Sequence, residues 1–342
     1  MKLPNWPLPN WLTGNRRSNH DVANANHWSA GRYGALLSAI GLFFLLGIGI
    51  YWSVEPDFID TADPVGELAP GAVTVNSLID VIDLLLNKPG GYLSNDVMPP
   101  AIWLDNIPSW EFGVLVQIRD LSKALRESFS RSQSQSSEDR DLALAESRFN
   151  VDHTSWAVPW PEREYSDGRD FLAAYGARLG DDVTQDGEFF ARADNLRYWL
   201  STVETRLGSL SQRLSASVGQ RRINGLPSVT SRTLKSAQRT IKTPWLQVDN
   251  VFYEARGTTW ALLQFLRAVQ QDFADVLEKK NASIGLQQII RELEMSQQPV
   301  NAPMIVNGRG FGLFANHSLV MASYISRANA ALIDLRELLS RG

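Results

Sequence analysis

Between Tyr33 and Trp52 the chain reads YGALLSAIGLFFLLGIGIYW, twenty residues without a charge. A helix of that length is about 30 Å long, enough to cross the hydrocarbon core of a bilayer. Tyr33 at one end and Tyr51 and Trp52 at the other set amphipathic rings at both interfaces. A cleaved signal peptide fits poorly, because the run is too long, begins after residue 32, and is followed by no small-x-small cleavage pattern. The segment therefore predicts one membrane-spanning helix, and the rest of the chain has to fold on one side of it.

Flanking charge sets the side. Residues 1–32 carry Lys2, Arg16, Arg17 and Arg32 against Asp21, a net of +3, while Glu55, Asp57, Asp60, Asp63 and Glu67 open the other flank. The excess of basic residues places the N-terminal tail in the cytoplasm and residues 53–342 outside, in the periplasm of a bacterium. With the whole chain at −4, the outer part carries −7. The expected organisation is a cytoplasmic tail (1–32), a transmembrane helix (33–52), a linker (53–75) and a helical periplasmic domain (76–340). Its stretch 2–15 (KLPNWPLPNWLTGN), rich in Pro, Asn and Trp, reads as a disordered leader.

An apolar fraction of 44% with eleven tryptophans supplies a substantial core. The mild acidity gives no basic footprint for nucleic acid. The absence of cysteine excludes disulfides, thiolate metal sites and cysteine nucleophiles.

The helical period dominates the outer region. Phe189, Ala193, Leu196, Leu200, Val203, Leu207, Leu210 and Leu214 are spaced alternately by 4 and 3, a heptad stripe predicting a long helix over about 187–218 that packs within the chain. Helical patterns also cover 76–86, 110 to about 129, 139–149, 167–179, 251–279, 282–295 and 318–339. Residues 150–165, with two prolines and two tryptophans, read as irregular. The polar run 130–137 reads as an exposed helical stretch or a hinge. The expectation is an all-α fold: one N-terminal transmembrane helix followed by a multi-helix bundle with long heptad-patterned helices.

Four stretches carry a resemblance: W-x-x-P-x-P-E-x-E-Y at 156–165, NLRYWL at 195–200, NVFYEARGTTWALLQFLRAVQQDF from Asn250, and NGRGFGLFANHSLVMASYISRANAALIDLRELL from Asn307. Together they resemble a family of uncharacterised single-span inner-membrane proteins of Gram-negative bacteria, a domain of unknown function. The resemblance covers most of residues 35–340. It implies a bacterial envelope setting and carries no activity, cofactor or catalytic residue.

Candidate chemistry is sparse. The outer region has two histidines, His153 and His317. A hydrolase needs a base beside a nucleophile and an orienting acid. Neither Asp152-His153-Thr154-Ser155 nor Asn316-His317-Ser318 is a triad as it stands, because adjacent residues rarely face each other. Glu162 and Glu164 invite a paired-carboxylate reading, set against an acidic first turn after Pro161 favoured by the helix dipole. His153 and His317 with these glutamates lack the spacing of a zinc site, so neither metal nor cofactor is expected.

Gly308-Arg309-Gly310-Phe311-Gly312 could cradle an anion, with Arg309 as counter-charge. The rival reading is a joint: glycines set the turn, Phe311 and Phe314 plug the bundle, and Asn316 or Ser318 caps the last helix. The favoured function is a non-enzymatic envelope scaffold that binds another protein and touches lipid through residues 33–52. The alternative is a hydrolase of peptidoglycan, lipid or peptide using His317, Arg309 and Glu162 or Glu164.

Overall fold

The computed structural model describes residues 19–59, 69–132, 137–180, 186–223, 238–300, 302, 304–308 and 314–341, with 19–31, 220–223 and 238–241 described by their backbone alone. Among these are ten α-helices and one antiparallel ribbon of two short strands, β1 (Gln220–Ile223) and β2 (Gln238–Ile241). The fold is an all-α multi-helix bundle, as the periodicity predicts. The chain divides after Ile50 into two units. The first is built on α1 (Asn19–Trp52), whose segment Arg32–Trp52 is long and apolar enough to cross a membrane. The helix begins at Asn19, ahead of the predicted span; the stretch 2–15 read as a leader is not among the described residues. Residues 1–18 lie outside the described residues.

The second unit begins at Tyr51. Its axis is the pair α3 (Asn106–Ala124) and α7 (Val248–Asp272), which pack more extensively than any other two helices described. Two glycines bring them together. A Cβ on Gly257 would fall 2.0 Å from the Trp110 carbonyl oxygen, and one on Gly113 would fall 2.2 Å from that of Glu254. The two backbones touch here with no side chain between them. Trp110 and Trp260 flank the contact with ring centroids 5.2 Å apart.

Around this axis lie α2 (Ala72–Asn87) with α5 (Pro161–Leu179), and α4 (Arg140–Phe149) against α5. On the other side, α6 (Ala193–Ser215) packs on α10 (His317–Ser340), which packs on α9 (Ser283–Ser296). The six leucine and valine positions of the stripe within α6 are all buried, so the heptad pairs inside the chain. That helix is shorter than predicted. Phe189 stays outside it and packs between Phe129 and Phe273, at centroid distances of 5.5 and 5.7 Å.

Other boundaries also moved. The helix predicted over 251–279 breaks at Phe273 into α7 and α8 (Ala274–Lys279). α5 starts at Pro161, inside the stretch read as irregular: proline at the first helical position needs no N–H partner, and the acidic residues Glu162 and Glu164 suit the first turn. Residues 130–132 and 137 are not helical; 133–136 lie outside the described residues.

Two carboxylates tie distant parts together. Asp272, at the end of α7, accepts from the Gly71 and Thr74 N–H groups (3.1 and 2.7 Å) and the Thr74 hydroxyl (2.6 Å), capping α2 from across the fold. Glu111 on α3 is wholly buried and meets Lys88 at 2.6 Å. It also accepts from the Leu93 and Ser94 N–H groups at 2.9 and 2.8 Å.

Candidate functional site

The stretch before α10 closes as a hairpin. Asn307 and Asn316 form an antiparallel bridge, and the Gly308 N–H donates to the Ala315 carbonyl at 3.0 Å. The Asn316 side chain works at both ends: Nδ2 donates to the Gly308 carbonyl (2.7 Å), and Oδ1 accepts from the Leu319 N–H (2.9 Å), capping α10. Gly308 is required by space, since a Cβ there would lie 2.1 Å from the Phe314 carbonyl oxygen. Phe314 does not plug the bundle. It is solvent-exposed, because the hairpin turns it outward. Arg309, Gly310, Phe311 and Gly312 lie outside the described residues.

His317 belongs to this hairpin. Its N–H donates to the Val306 carbonyl (2.9 Å), and its Nδ1 accepts from the Val306 N–H (2.8 Å). The second bond assigns the proton of the neutral ring to Nε2. The histidine of a Ser-His-Asp triad has the opposite arrangement, with Nδ1–H held by an acid and a lone pair on Nε2 facing substrate. His317 lines a cleft of about 210 Å³ with Phe252, Ser296, Met321, Tyr324 and Arg256. That arginine is engaged: it chelates Glu55 through Nε (2.9 Å) and Nη2 (2.6 Å) and donates Nη1 to the Gln298 carbonyl (2.9 Å).

His153 lies in a different cleft, of about 320 Å³, which it shares with Phe112, Asn250 and Glu254. Its ring stacks on Phe112 at 4.7 Å. Burial, reinforced by the nearby Arg119 guanidinium, holds the imidazole below its ordinary value of 6.5 and favours the neutral ring. Glu254 is paired with Arg213, Nη1 at 2.8 Å.

The two glutamates of α5 diverge. Glu164 meets Arg148 at 2.5 Å. Glu162 takes the Asn95 amide on both oxygens, at 3.1 and 3.0 Å. It lines a third cleft, of about 560 Å³, together with Trp52, Asp96, Met98, Trp156 and Trp160. Burial and the charge of Glu162 raise the Asp96 carboxyl above the usual carboxylate range, against the pull of Lys88.

The candidates His317, His153 and Glu162 thus line three separate clefts, and Glu164 is held in an ion pair. No group of three or more metal-ligating side chains occurs among the described residues. The third cleft joins segments that sequence reading kept apart, the Pro99-Pro100 loop and the Trp-Pro loop. Their shared signal was a pair of proline-bounded loops with exposed aromatics.

An all-helical domain behind an apolar N-terminal helix, with its ionisable groups dispersed, is the class of protein this fold defines. The chain belongs to the family described as an uncharacterized protein conserved in bacteria (DUF2333), whose model matches residues 23–342. No curated protein and no solved structure matches it.

Proposed function

We propose that this chain is a membrane-anchored helical scaffold of the bacterial envelope. Residues 33–52 span the inner membrane, the N-terminus is cytoplasmic, and the helical domain stands in the periplasm, where it binds another protein. The +3 tail facing an acidic flank supports the orientation. The observation that carries the scaffold reading is the state of the candidate catalytic groups. His317 has its Nδ1 lone pair engaged by the Val306 N–H, Glu164 is in an ion pair with Arg148, and Glu162 is held by Asn95. Each contact has a structural role, and no two of these groups face each other across one cleft.

The test has two arms in cells lacking the native gene. A photo-crosslinking amino acid is scanned over exposed positions of the outer domain, and His153→Ala, Glu162→Gln and His317→Ala are scored for complementation. A discrete protein adduct together with complementation by all three variants is the expected result. A folded variant that is inactive, with no adduct from any position, overturns the scaffold and promotes an envelope hydrolase.

A further inference from the structure

Scattered exposed apolar side chains are ordinary on a protein surface, whereas a contiguous group marks a contact. Two loops of the second unit carry such a group. Met98 (73% exposed) lies on one, and Trp156 (70%), Val158 (85%) and Trp160 lie on the other. The loops are latched to each other, since Asn95 donates both to the Ser155 carbonyl (3.2 Å) and to Glu162. Their exposure is therefore a property of a fixed face.

Trp52 completes that face. It lines the same cleft as Met98, Trp156 and Trp160, and its indole lies over Gly90, where a Cβ would come within 2.7 Å of the ring. Trp52 is also the last residue of the apolar stretch. Covalent continuity then fixes what lies nearby: where the chain leaves a bilayer at Trp52, the loops around Trp52 are at the bilayer surface. The chemistry fits that layer. Indole rings, apolar yet carrying an N–H donor, favour the headgroup region, and Arg163, which also lines the cleft, is exposed. The cleft also holds two acids, Asp96 and Glu162, the latter bonded on both oxygens to the Asn95 amide.

We infer that the face formed by Trp52, Met98, Trp156, Val158 and Trp160 seats in the phospholipid headgroup layer and fixes the domain's orientation on the membrane. The inference rests on the membrane-anchor reading above. It reserves the surfaces away from this face for a protein partner.

The cysteine-free chain permits a direct test. Single cysteines replace Leu42, Met98, Val158 or Ile284 in the full chain, each carrying a nitroxide, in vesicles of phosphatidylcholine and phosphatidylglycerol. Collision with oxygen, which enters lipid, is compared with collision with a water-soluble nickel chelate. Ile284 is the aqueous control: it is 77% exposed and lies at the far end of α9, about 20 Å along the helix from Ser296. The expected result is Leu42→Cys deep in lipid and Met98→Cys and Val158→Cys at headgroup depth, with nickel access several-fold below that of Ile284→Cys. Replacing Trp156 and Trp160 by serine restores that access. If Leu42 is in lipid while Met98 and Val158 are as open to nickel as Ile284, the seating is wrong and the anchor stands. If Leu42 itself is open to nickel, the anchor reading fails and the seating with it. If Met98 and Val158 are shielded from oxygen and nickel alike, protein covers the face, and the lipid assignment is overturned.

Discussion

Lys88 Nζ lies 2.6 Å from Glu111 Oε1, with both side chains fully withdrawn from solvent. Lys88 also donates to the Gly91 carbonyl at 2.7 Å, so the pair staples the end of α2, the turn after it and α3 at one point. Burial raises the Glu111 carboxyl above its ordinary range, while Lys88 and the surrounding donors pull the other way. The hydrogen-bonding partners of that carboxylate, Lys88, the Leu93 and Ser94 N–H groups and the Ser94 hydroxyl, are all donors, so the site is built for the ion.

Removing one partner leaves a buried charge without compensation. Lys88→Met is expected to cost about 3–5 kcal/mol. Adding Glu111→Gln removes the stranded charge while keeping an acceptor for the Leu93 and Ser94 N–H groups. The double variant is therefore expected to be more stable than Lys88→Met alone. Chemical denaturation of the detergent-solubilised chain, analysed as a double-mutant cycle, checks the order; a double variant weaker than the single contradicts it.

Two glycines in helices should respond to alanine with opposite signs. Alanine is the better helix former by about 1 kcal/mol. At Gly208 in α6 the new Cβ meets only the Asn329 Nδ2, at 3.8 Å, and Gly208→Ala should stabilise by roughly that amount. At Gly257 it would lie 2.0 Å from the Trp110 carbonyl oxygen, and two helix backbones must separate. The overpacking, of order 3 kcal/mol, outweighs the propensity gain, so Gly257→Ala should lower the Tm. Thermal melting of the two variants side by side decides it.

The contrast shows what the sequence could and could not reveal. The α6 stripe was legible because burial repeats every three or four residues, and Leu196 to Leu214 are buried as that period requires. Gly113 and Gly257 sit inside equally helical patterns. Nothing local tells that each faces the other helix's backbone, because the cause is 145 residues away, as in the approach of Thr258 to the Gly113 carbonyl. The clefts were hidden for the same reason. Arg256 meets Glu55 across 201 residues, and Asn95 meets Glu162 across 67. The chemistry-bearing residue types could be named from sequence; their partners follow from the tertiary fold.

His153 gives the fold a pH dependence of predictable sign. Its folded-state value is depressed below 6.5 by burial and by Arg119. The unfolded chain therefore takes up the proton first. The contribution is fully present above the unfolded value, and is lost as pH falls through 6.5 toward the folded value. His153→Phe keeps a ring against Phe112 and removes the titration. Between pH 7 and about 5.5, above the range where ordinary carboxylates titrate, the wild-type Tm should fall more than that of the variant. Parallel slopes in a melting series would show that His153 titrates as it does in the unfolded chain.

The hairpin before α10 provides the sharpest contrast between a joint and a site. His317→Ala removes the acceptor for the Val306 N–H but leaves the Asn307–Asn316 bridge and the Asn316 cap in place. One hydrogen bond of this kind contributes about 0.5–1.5 kcal/mol, so a small loss of Tm with full complementation is expected. Gly308→Ala forces a methyl group against the Phe314 carbonyl at 2.1 Å and must open the hairpin, which displaces Asn316 from both of its bonds. Its loss should be several times larger, and function should fall in step with the folded fraction. Melting and complementation of the two variants test this together. A His317→Ala protein that melts like wild type yet does not complement would show that the histidine acts on a ligand in its cleft, and that the hairpin exists to present it.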